Sequence, residues 1–205
     1  MPNWCSNGLT LTHSDPAMID RVVSGRAGLL QEFIPCPQEL IDTVSGFVPE
    51  QEALEAKQKA NIEKYGYATW YDHNVSKWGT KWDVSADSIE RIDANTVTLS
   101  FESAWSPPIG AYETLMELGF GVKAFYYEPG MCFVGKWEDG SDDYYEYGGE
   151  TSATVREAIG EELDEYFAIS ESMAEWEEEN EEDEENIDID LDGGLSAVNE
   201  GHDED

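Results

Sequence analysis

The chain has 205 residues and a mass of 23.0 kDa, which is enough for one packed core with appendages. It contains 11 Lys and Arg against 46 Asp and Glu, a formal net charge of -35 at pH 7. Nucleic-acid binding depends on cations that displace counterions from phosphates, so we expect no direct nucleic-acid binding. The same negative field would attract a basic protein partner, including a DNA-binding protein.

Membrane and metal classes are also disfavoured by the sequence. No run reaches the ~18 apolar residues that a membrane-spanning helix needs, and the start "MPNWCSNG" lacks the basic and apolar parts of a secretory signal. We therefore expect a cytoplasmic protein with no membrane contact. Cys5, Cys36 and Cys132 form no CxxC pair or Cys/His cluster, so we expect reduced thiols, no metal and no cofactor.

The first elements alternate between strand and helix patterns. Residues 7–12 alternate apolar and polar side chains, which predicts a strand. In "HSDPAMIDRVVSG", Ser14 or Asp15 can cap a short amphipathic helix that Gly25 ends. The next run, "LLQEFIPCP", is predicted as a strand that its prolines end near Pro35.

The middle of the chain combines an insertion with further strand and helix patterns. Good helix formers with few apolar positions fill residues 49–66 and predict a helical insertion at the surface. In "SIERIDANTVTLSFESAW", Val97, Leu99 and Phe101 alternate as in a strand. The run "SPPIGAYETLMELG" has a serine cap and a closing glycine, which predicts a helix. "GVKAFYYEPG" and "MCFVGKWEDG" predict a hairpin, and "DDYYEYGG" an additional edge strand.

The order of these elements predicts the fold class. Strand, helix, strand, insertion, strand, helix, strand and added hairpin indicate an α+β fold, specifically a ferredoxin-like β-α-β-β-α-β sandwich. In that fold an antiparallel sheet is covered by two helices on one face. We assign this domain to residues 1–149.

The charge is concentrated after this domain. From Glu150 to Asp205 there are 23 acids and one base, Arg156. Apolar residues at three- or four-residue steps predict an acidic amphipathic helix over 150–180. Because the helix dipole disfavours acids at the C-terminal end, we expect fraying after about Glu177 and a disordered acidic tail over 181–205.

Two patterns within this tail suggest local structure. Alternation of apolar residues with acids over 187–191 suits a short strand that could add to a sheet edge. Asp188, Asp190 and Asp192 also begin like a calcium loop. The closing position holds Asn199 where a bidentate Glu is needed, so we expect no dedicated metal site.

Five motifs carry a resemblance to a known family. "MPNWCSN", "FIPCPQEL", "WGTKWD", "SAWSPP" and "YYEPGMCFVG" look like the motif series of the YubB-like family, whose members have a ferredoxin-like domain and occur in bacteriophages and conjugative plasmids. The resemblance spans roughly residues 1–149. It implies the same fold but brings no established biochemical activity.

These motifs also supply a candidate recognition cluster. If they gather at one end of the sheet, aromatic rings and polar groups could stack on and hydrogen-bond a ligand. The alternative is that the tryptophans plug the sheet edge, with lysine stems packed over the indoles. The cluster consists of Asn3, Trp4, Trp78, Lys81, Trp82, Asp83, Trp105 and Glu128.

Catalysis is the less favoured use of this cluster. It would require Cys5 beside His13 or His73, or a carboxylate pair formed by Asp83 and Glu128. No spacing in the sequence demonstrates either arrangement, so we assign no catalytic residue and treat an enzyme as the less favoured alternative.

The acidic region admits two interpretations. Blocks of like charge usually act as solvating segments that limit aggregation. Alternatively, carboxylates on a rigid helix imitate a nucleic acid; the candidate face comprises Glu161, Glu165, Glu175, Glu178 and Glu179. Our main hypothesis is a non-enzymatic phage or plasmid accessory protein that binds a basic partner and inhibits a host DNA-acting defence or repair factor. The alternative is a small-ligand-binding module or enzyme with its site in the Trp-rich cluster around residues 78–83.

Overall fold

The computed structural model describes residues 2–43 and 51–192, with side chains described over 2–43 and 52–180. These residues form two compact units, which divide between Gly148 and Gly149. The first unit combines a sheet with helices, and the second is helical. The predicted α+β class is therefore confirmed.

An antiparallel sheet organises the first unit. Its six strands, among the described residues, are β1 (Trp4–Thr12), β2 (Ser88–Arg91), β3 (Thr96–Ala104), β4 (Gly121–Glu128), β5 (Phe133–Glu138) and β6 (Ser141–Glu146). Their order is β2-β3-β1-β4-β5-β6, and every neighbouring pair is antiparallel. The predicted hairpin and edge strand are present as β4, β5 and β6.

Six helices of the first unit connect these strands. They are α1 (Pro16–Ser24), α2 (Leu29–Phe33), α3 (Gln38–Ile41), α4 (Gln51–Tyr65), α5 (Trp70–Lys77) and α6 (Ile109–Glu117). Five of those described lie between β1 and β2, while α6 joins β3 to β4. α1 has the predicted cap, since an Asp15 Oδ1 atom accepts the Ala17 N–H at 2.9 Å.

The core lies on the sheet face that α6 contacts. Strand alternation buries Leu9, Leu99 and Phe101 on that face. The α6 ring of Tyr112 lies 5.7 Å from the Trp137 ring, centroid to centroid. Burial of these large apolar side chains is the main stabilising contribution to the unit.

A buried polar network crosses the same core. Asn7 donates through Nδ2 to Ser103 Oγ at 2.8 Å and to the Cys5 carbonyl at 2.7 Å. Its Oδ1 accepts the Tyr112 hydroxyl at 3.1 Å. Because both amide atoms of Asn7 are hydrogen-bonded, this nearly inaccessible side chain is buried without an unpaired polar group.

The strand predicted for "LLQEFIPCP" is wrong, because Leu29–Phe33 is the helix α2. The sequence there offers no side-chain cap, since Gly28 precedes the helix. Asp83 supplies the cap from 53 residues away, accepting the Leu30 N–H at 2.8 Å and the Gln31 N–H at 3.1 Å. The second strand in chain order is instead Ser88–Arg91, which precedes the strand predicted around Val97, Leu99 and Phe101.

The insertion predicted over residues 49–66 contains α4, which runs over Gln51–Tyr65. Residues 49 and 50 lie outside the described residues.

The next helix, α5, was not predicted. It begins with a capping box in which the Thr69 hydroxyl accepts the Asp72 N–H and the Asp72 carboxylate accepts the Thr69 N–H.

The second unit contains three described helices where a single one was predicted over 150–180. They are α7 (Val155–Ile159), α8 (Glu161–Phe167) and α9 (Ile169–Asp192). Positive φ angles of 88° at Gly160 and 52° at Ala168 separate them. The apolar positions of the predicted periodicity are nevertheless used, since Val155, Ile159 and Leu163 are buried.

The backbone of α9 corrects two expectations about the acidic tail. It remains helical to Asp192 rather than fraying after Glu177, and residues 187–191 are helical rather than a strand. The span contains no Gly or Pro to interrupt it, and helix extension is cooperative once begun. The three aspartates of the calcium-like pattern lie in this helix, and the rest of that pattern lies outside the described residues.

α9 is also the most acidic element described. Its 24 residues include nine Glu and four Asp and no Lys, Arg or His. Across the described parts of the chain, no helix is both long enough and apolar enough to span a membrane.

Candidate functional site

The structure brings three of the sequence motifs together at one end of the sheet. The backbone N–H of Trp105 donates to the Asn3 carbonyl at 3.0 Å and joins "AWSPP" to "NWC". The Thr80 hydroxyl donates to the Ala104 carbonyl at 2.9 Å and joins "WGTKWD" to "AWSPP". The recognition cluster is thus centred on a real junction of three segments.

Close backbone approach explains the glycine in "KWGTKWD". Gly79 has a φ of +84°, and a Cβ atom there would lie 3.0 Å from the Ile109 nitrogen. Gly110 is equally confined, since its Cβ would lie 2.9 Å from the Lys77 carbonyl oxygen. The Ser106 hydroxyl donates to the Gly79 carbonyl at 2.7 Å. These contacts fix the tryptophan-bearing segment against the start of α6.

The tryptophans of the cluster divide into one core residue and three surface residues. Trp78 is only 3% exposed, and its Nε1 donates to the Ile34 carbonyl at 2.9 Å. Trp4, Trp82 and Trp105 are 49%, 38% and 52% exposed. Trp78 therefore belongs to the core, whereas the other three present aromatic surface to solvent.

Lys81 lies on this aromatic surface. Its Nζ is 4.6 Å from the centroid of the Trp82 ring and 5.9 Å from that of Tyr71. Trp82 in turn lies 6.1 Å from the Trp4 ring, with a 38° angle between the planes. Lys81 makes no ion pair with any described residue. Its ammonium group is therefore stabilised by indole and phenol faces rather than by a carboxylate.

Asp83 and Glu128 do not form a carboxylate pair. The carboxylate of Asp83 is engaged with α2 and also accepts the Val84 N–H at 2.8 Å. Glu128 is 1% exposed, and its two oxygens accept the Gly130 and Met131 N–H groups at 2.8 and 2.6 Å. Each carboxylate therefore fixes a turn of the backbone.

Asn3 lies beside the Glu128 turn. A Cβ atom built on Gly130 would lie 2.7 Å from Asn3 Nδ2 and 2.9 Å from Glu128 Oε1. Asn3 is thus placed at the β4–β5 turn, while Lys81 and Trp82 are at the indole surface. Asn3 and Glu128 meet at this turn, and Trp4, Lys81 and Trp82 meet at the indole surface.

The candidate Cys–His arrangement is absent from the described part of the chain. Cys5 is fully buried, and burial raises the pKa of its thiol to about 12. His13 accepts the Asp15 N–H at 2.9 Å and packs against Phe120, while burial lowers the pKa of His73. Neither histidine contacts Cys5, and a thiol of this pKa supplies no thiolate near neutral pH.

A pocket of about 460 Å³ opens beside the same segment. Trp78, Trp82 and Asp83 of the predicted cluster line it, whereas no other cluster member does. The full lining is Gln31, Cys36, Ile41, Trp70, Asn74, Trp78, Trp82 and Asp83. Three indoles thus contribute to the wall of one cavity.

Trp70 and Asn74 line the pocket but were not placed in the eight-residue recognition cluster, and the helix that carries them, α5, was not predicted. The signal was present in "TWYD", where Thr69 and Asp72 have capping-box spacing. α5 places Trp70 at its first turn and Asn74 one turn later, on the side of the "KWGTKWD" segment. Asn74 Nδ2 donates to the Lys81 carbonyl at 3.0 Å and holds the two segments together.

The predicted acidic face is only partly free. Arg156 Nη2 binds carboxylate oxygens of Glu161 at 2.5 Å and Glu165 at 2.8 Å. The buried Asp164 carboxylate accepts both the N–H and the hydroxyl of Ser170 at 2.8 Å. Glu161 and Glu165 therefore share the single positive charge of Arg156 within the second unit.

The remaining members of the face lie on α9. Glu175, Glu178 and Glu179 are exposed and make no ion pair with a described residue. Their neighbour Glu177 differs, because its carboxylate accepts the Ser152 hydroxyl at 2.6 Å and the Ser152 N–H at 2.9 Å. These hydrogen bonds lower the pKa of Glu177. α9 thus combines one anchored carboxylate with several available ones.

No group of three or more His, Cys, Asp and Glu side chains among the described residues is arranged to hold a metal ion.

Comparison with known proteins adds little. No family model and no curated protein matches the chain. A solved structure to which it is similar is that of a protein api92 from Yersinia pseudotuberculosis, of family DUF1281. The identity is 13% over 73% of this chain and 99% of the other, with a TM-score of 0.41. A likeness of this size carries no argument about function.

Proposed function

We propose that this chain is a non-enzymatic binding protein that engages a basic protein partner through the acidic helix α9. The observation that carries the proposal is the charge of one continuous helix, 13 acids and no base in 24 residues. At ~1.5 Å per residue the helix is about 36 Å long, which gives one negative charge per about 2.8 Å. Nucleic acid carries one charge per ~3.4 Å of a single strand and per ~1.7 Å of a duplex. A groove built for phosphates would therefore meet a similar charge density on α9.

An exposed aromatic residue favours binding over a purely solvating role. Trp176 is 66% exposed and lies on α9 between Glu175 and the run Glu177 to Glu179. A segment that only improves solubility gains nothing from an exposed indole, whereas Trp is enriched at the energetic centres of interfaces. We propose that Trp176 supplies the apolar contact and the flanking carboxylates the electrostatic one.

The test is capture of basic proteins from a host lysate by full-length chain and by two charge-matched triple variants. The first, Glu175→Gln, Glu178→Gln and Glu179→Gln, alters the face on α9. The second, Glu63→Gln, Glu113→Gln and Glu117→Gln, removes three exposed carboxylates from α4 and α6 and leaves the total charge equal to that of the first. Binding of the partner should be weakened by the first variant and not by the second. Raising the salt concentration from about 0.05 to about 0.3 M and adding competing duplex DNA should also weaken it. If both variants lose the partner equally, net charge alone accounts for binding. Capture that does not change with salt concentration would contradict the proposal.

The finer fold assignment belongs to the same proposal. We propose a ferredoxin-like topology for the first unit, supported by the strand order β2-β3-β1-β4, with helices between β1 and β2 and between β3 and β4. β5 and β6 would then extend that sheet. We also propose that the chain is a member of the YubB-like family from a phage or plasmid, which the five motifs support. Action on a host DNA-acting factor in the cytoplasm is proposed from the same motifs together with the charge of α9. The free state of Cys5, Cys36 and Cys132 is compatible with a reducing compartment.

A second candidate function is favoured by the pocket. Its wall includes Trp70, Trp78 and Trp82, and its volume of about 460 Å³ lies within the ~300–1,000 Å³ typical of small-molecule sites. We propose that the first unit also binds a small ligand there. This function does not depend on α9 and is tested separately below.

A further inference from the structure

The polar atoms that line the pocket are already engaged with the protein. Gln31 Nε2 donates to the Cys36 carbonyl at 3.2 Å, and Gln31 Oε1 accepts the Cys36 N–H at 3.0 Å. Asn74 Nδ2 donates to the Lys81 carbonyl, and its Oδ1 contacts His73 Nδ1 at 3.2 Å. A neutral polar ligand would therefore displace existing hydrogen bonds rather than complete missing ones.

Two features of the pocket wall remain for recognition. The first is the indole surface of Trp70 and Trp82, together with the little that Trp78 exposes. The second is the negative charge of Asp83, whose oxygens accept three backbone N–H groups. Indole faces attract cations through the ring quadrupole, and a carboxylate adds to that attraction.

The structure already contains a cation on this surface. Lys81 Nζ lies 4.6 Å from the Trp82 centroid, within the ~6 Å at which cation–π attraction is significant. An anion in the pocket could contact Lys81, but it would also face the Asp83 carboxylate and the field of a chain with net charge -35. The balance of charge therefore favours a cationic ligand over an anionic one.

We infer that the pocket binds an organic cation with an alkylated ammonium head, an inference that rests on the second candidate function. The alkyl groups contact the indoles of Trp70 and Trp82, and the positive charge is stabilised by their faces and by Asp83. The ammonium of Lys81 competes with this ligand for Trp82. A free quaternary ammonium compound and a trimethylated lysine side chain share the chemistry.

The experiment titrates the full-length chain while tryptophan fluorescence is recorded at constant ionic strength. The probes are choline and its neutral analogue in which carbon replaces the nitrogen, so that shape is kept and charge is removed. N-acetyl-trimethyllysine amide serves as the side-chain probe. We expect saturable binding of at least one cation, about tenfold tighter than that of the neutral analogue.

Three variants locate the site. Trp82→Ala should abolish choline binding, while Trp82→Phe, which keeps an aromatic ring, should weaken it by less. Lys81→Gln should tighten binding, because it removes the competing cation from Trp82. Tyr145→Ala is the matched control, since Tyr145 is 37% exposed against 38% for Trp82 but does not line the pocket, and it should bind as the parent chain does. Circular dichroism confirms that each variant is folded.

The outcomes separate the inference from the function on which it rests. Equal affinity for choline and the neutral analogue, lost in Trp82→Ala, would overturn cation recognition but retain a ligand pocket. Absence of binding for all three probes at millimolar concentration would overturn the inference. Equal loss in Trp82→Ala and Tyr145→Ala would also overturn it, because the effect would not map to the pocket. Preference for trimethyllysine amide over choline would identify a protein side chain as the source of the cation.

Discussion

The remote cap of α2 gives a quantitative test of how the first unit holds its site. Asp83→Ala removes a carboxylate that accepts the N–H groups of Leu30, Gln31 and Val84 at 2.8, 3.1 and 2.8 Å. Loss of an N-cap costs ~1 kcal/mol, and each partly buried donor left unpaired costs a further ~1 kcal/mol or more. Water can reach part of this site because Asp83 is half-buried. We therefore expect the free energy of unfolding to fall by about 2–4 kcal/mol.

Urea unfolding followed by near-ultraviolet circular dichroism measures this change, because Trp78 and Trp82 adjoin the cap. Asp83→Asn should lie between the parent and Asp83→Ala, since its one carbonyl oxygen can replace only part of the carboxylate. The matched control is Asp87→Ala, an exposed carboxylate of the same segment, which should change stability by less than ~0.5 kcal/mol. If Asp83→Ala is as stable as the control, the carboxylate does not hold α2 and the reasoning fails.

Three further predictions concern titration and reactivity. Because hydrogen bonds from Ser152 lower the pKa of Glu177, its contribution to stability is present above the unfolded pKa of 4.5 and is lost as the pH falls through the lower folded value. In Glu177→Gln the free energy of unfolding of the second unit should therefore fall less as the pH is lowered. An unchanged dependence on pH would count against the Ser152 contact. Burial, followed by the hydrogen bond to Asp142, raises the pKa of Tyr126. This contribution to stability is fully present below the unfolded pKa of 10 and is lost as the pH rises above it. The free energy of unfolding of Tyr126→Phe should therefore fall less steeply with pH in the alkaline range than that of the parent chain. An equal slope for both would refute the assignment. In the native chain a thiol reagent should modify the half-buried Cys132 well before the buried Cys5 and Cys36, and equal rates would contradict the burial.

Local signals were enough to predict some elements. α1 was predictable because Asp15, Pro16 and Gly25 provide its cap, first turn and end within one short stretch. β3 was predictable because its alternation of apolar and polar residues is a property of adjacent positions. In both cases the stabilising partner of each signal lies within a few residues.

Elements fixed by distant residues were not predictable. α2 was read as a strand because its cap, Asp83, is 53 residues away in sequence. Within the candidate site, Trp78 and Trp82 belong to the same motif, yet one is buried in the core and the other is exposed. The buried indole of Trp78 donates through Nε1–H to the Ile34 carbonyl, which is 44 residues away in sequence. Composition marks such residues as important but cannot tell which of them face solvent.

The scarcity of cations makes the two proposed binding surfaces separable by salt. Lys64 pairs with Glu39 at 2.8 Å and Arg156 pairs with Glu161 and Glu165, as expected where acids outnumber bases fourfold. Lys81 instead lies on Trp82. Exposed carboxylates on α9 act over distances that salt screens, since the Debye length falls from ~30 Å at 0.01 M to ~10 Å at 0.1 M. Contact between an ammonium and an indole acts at 4–6 Å and is screened far less. Partner binding through α9 should therefore fall steeply as the salt concentration rises, while choline binding in the pocket should change little. If both fell in parallel, the general negative charge of the chain, and not the indole pocket, would account for cation binding.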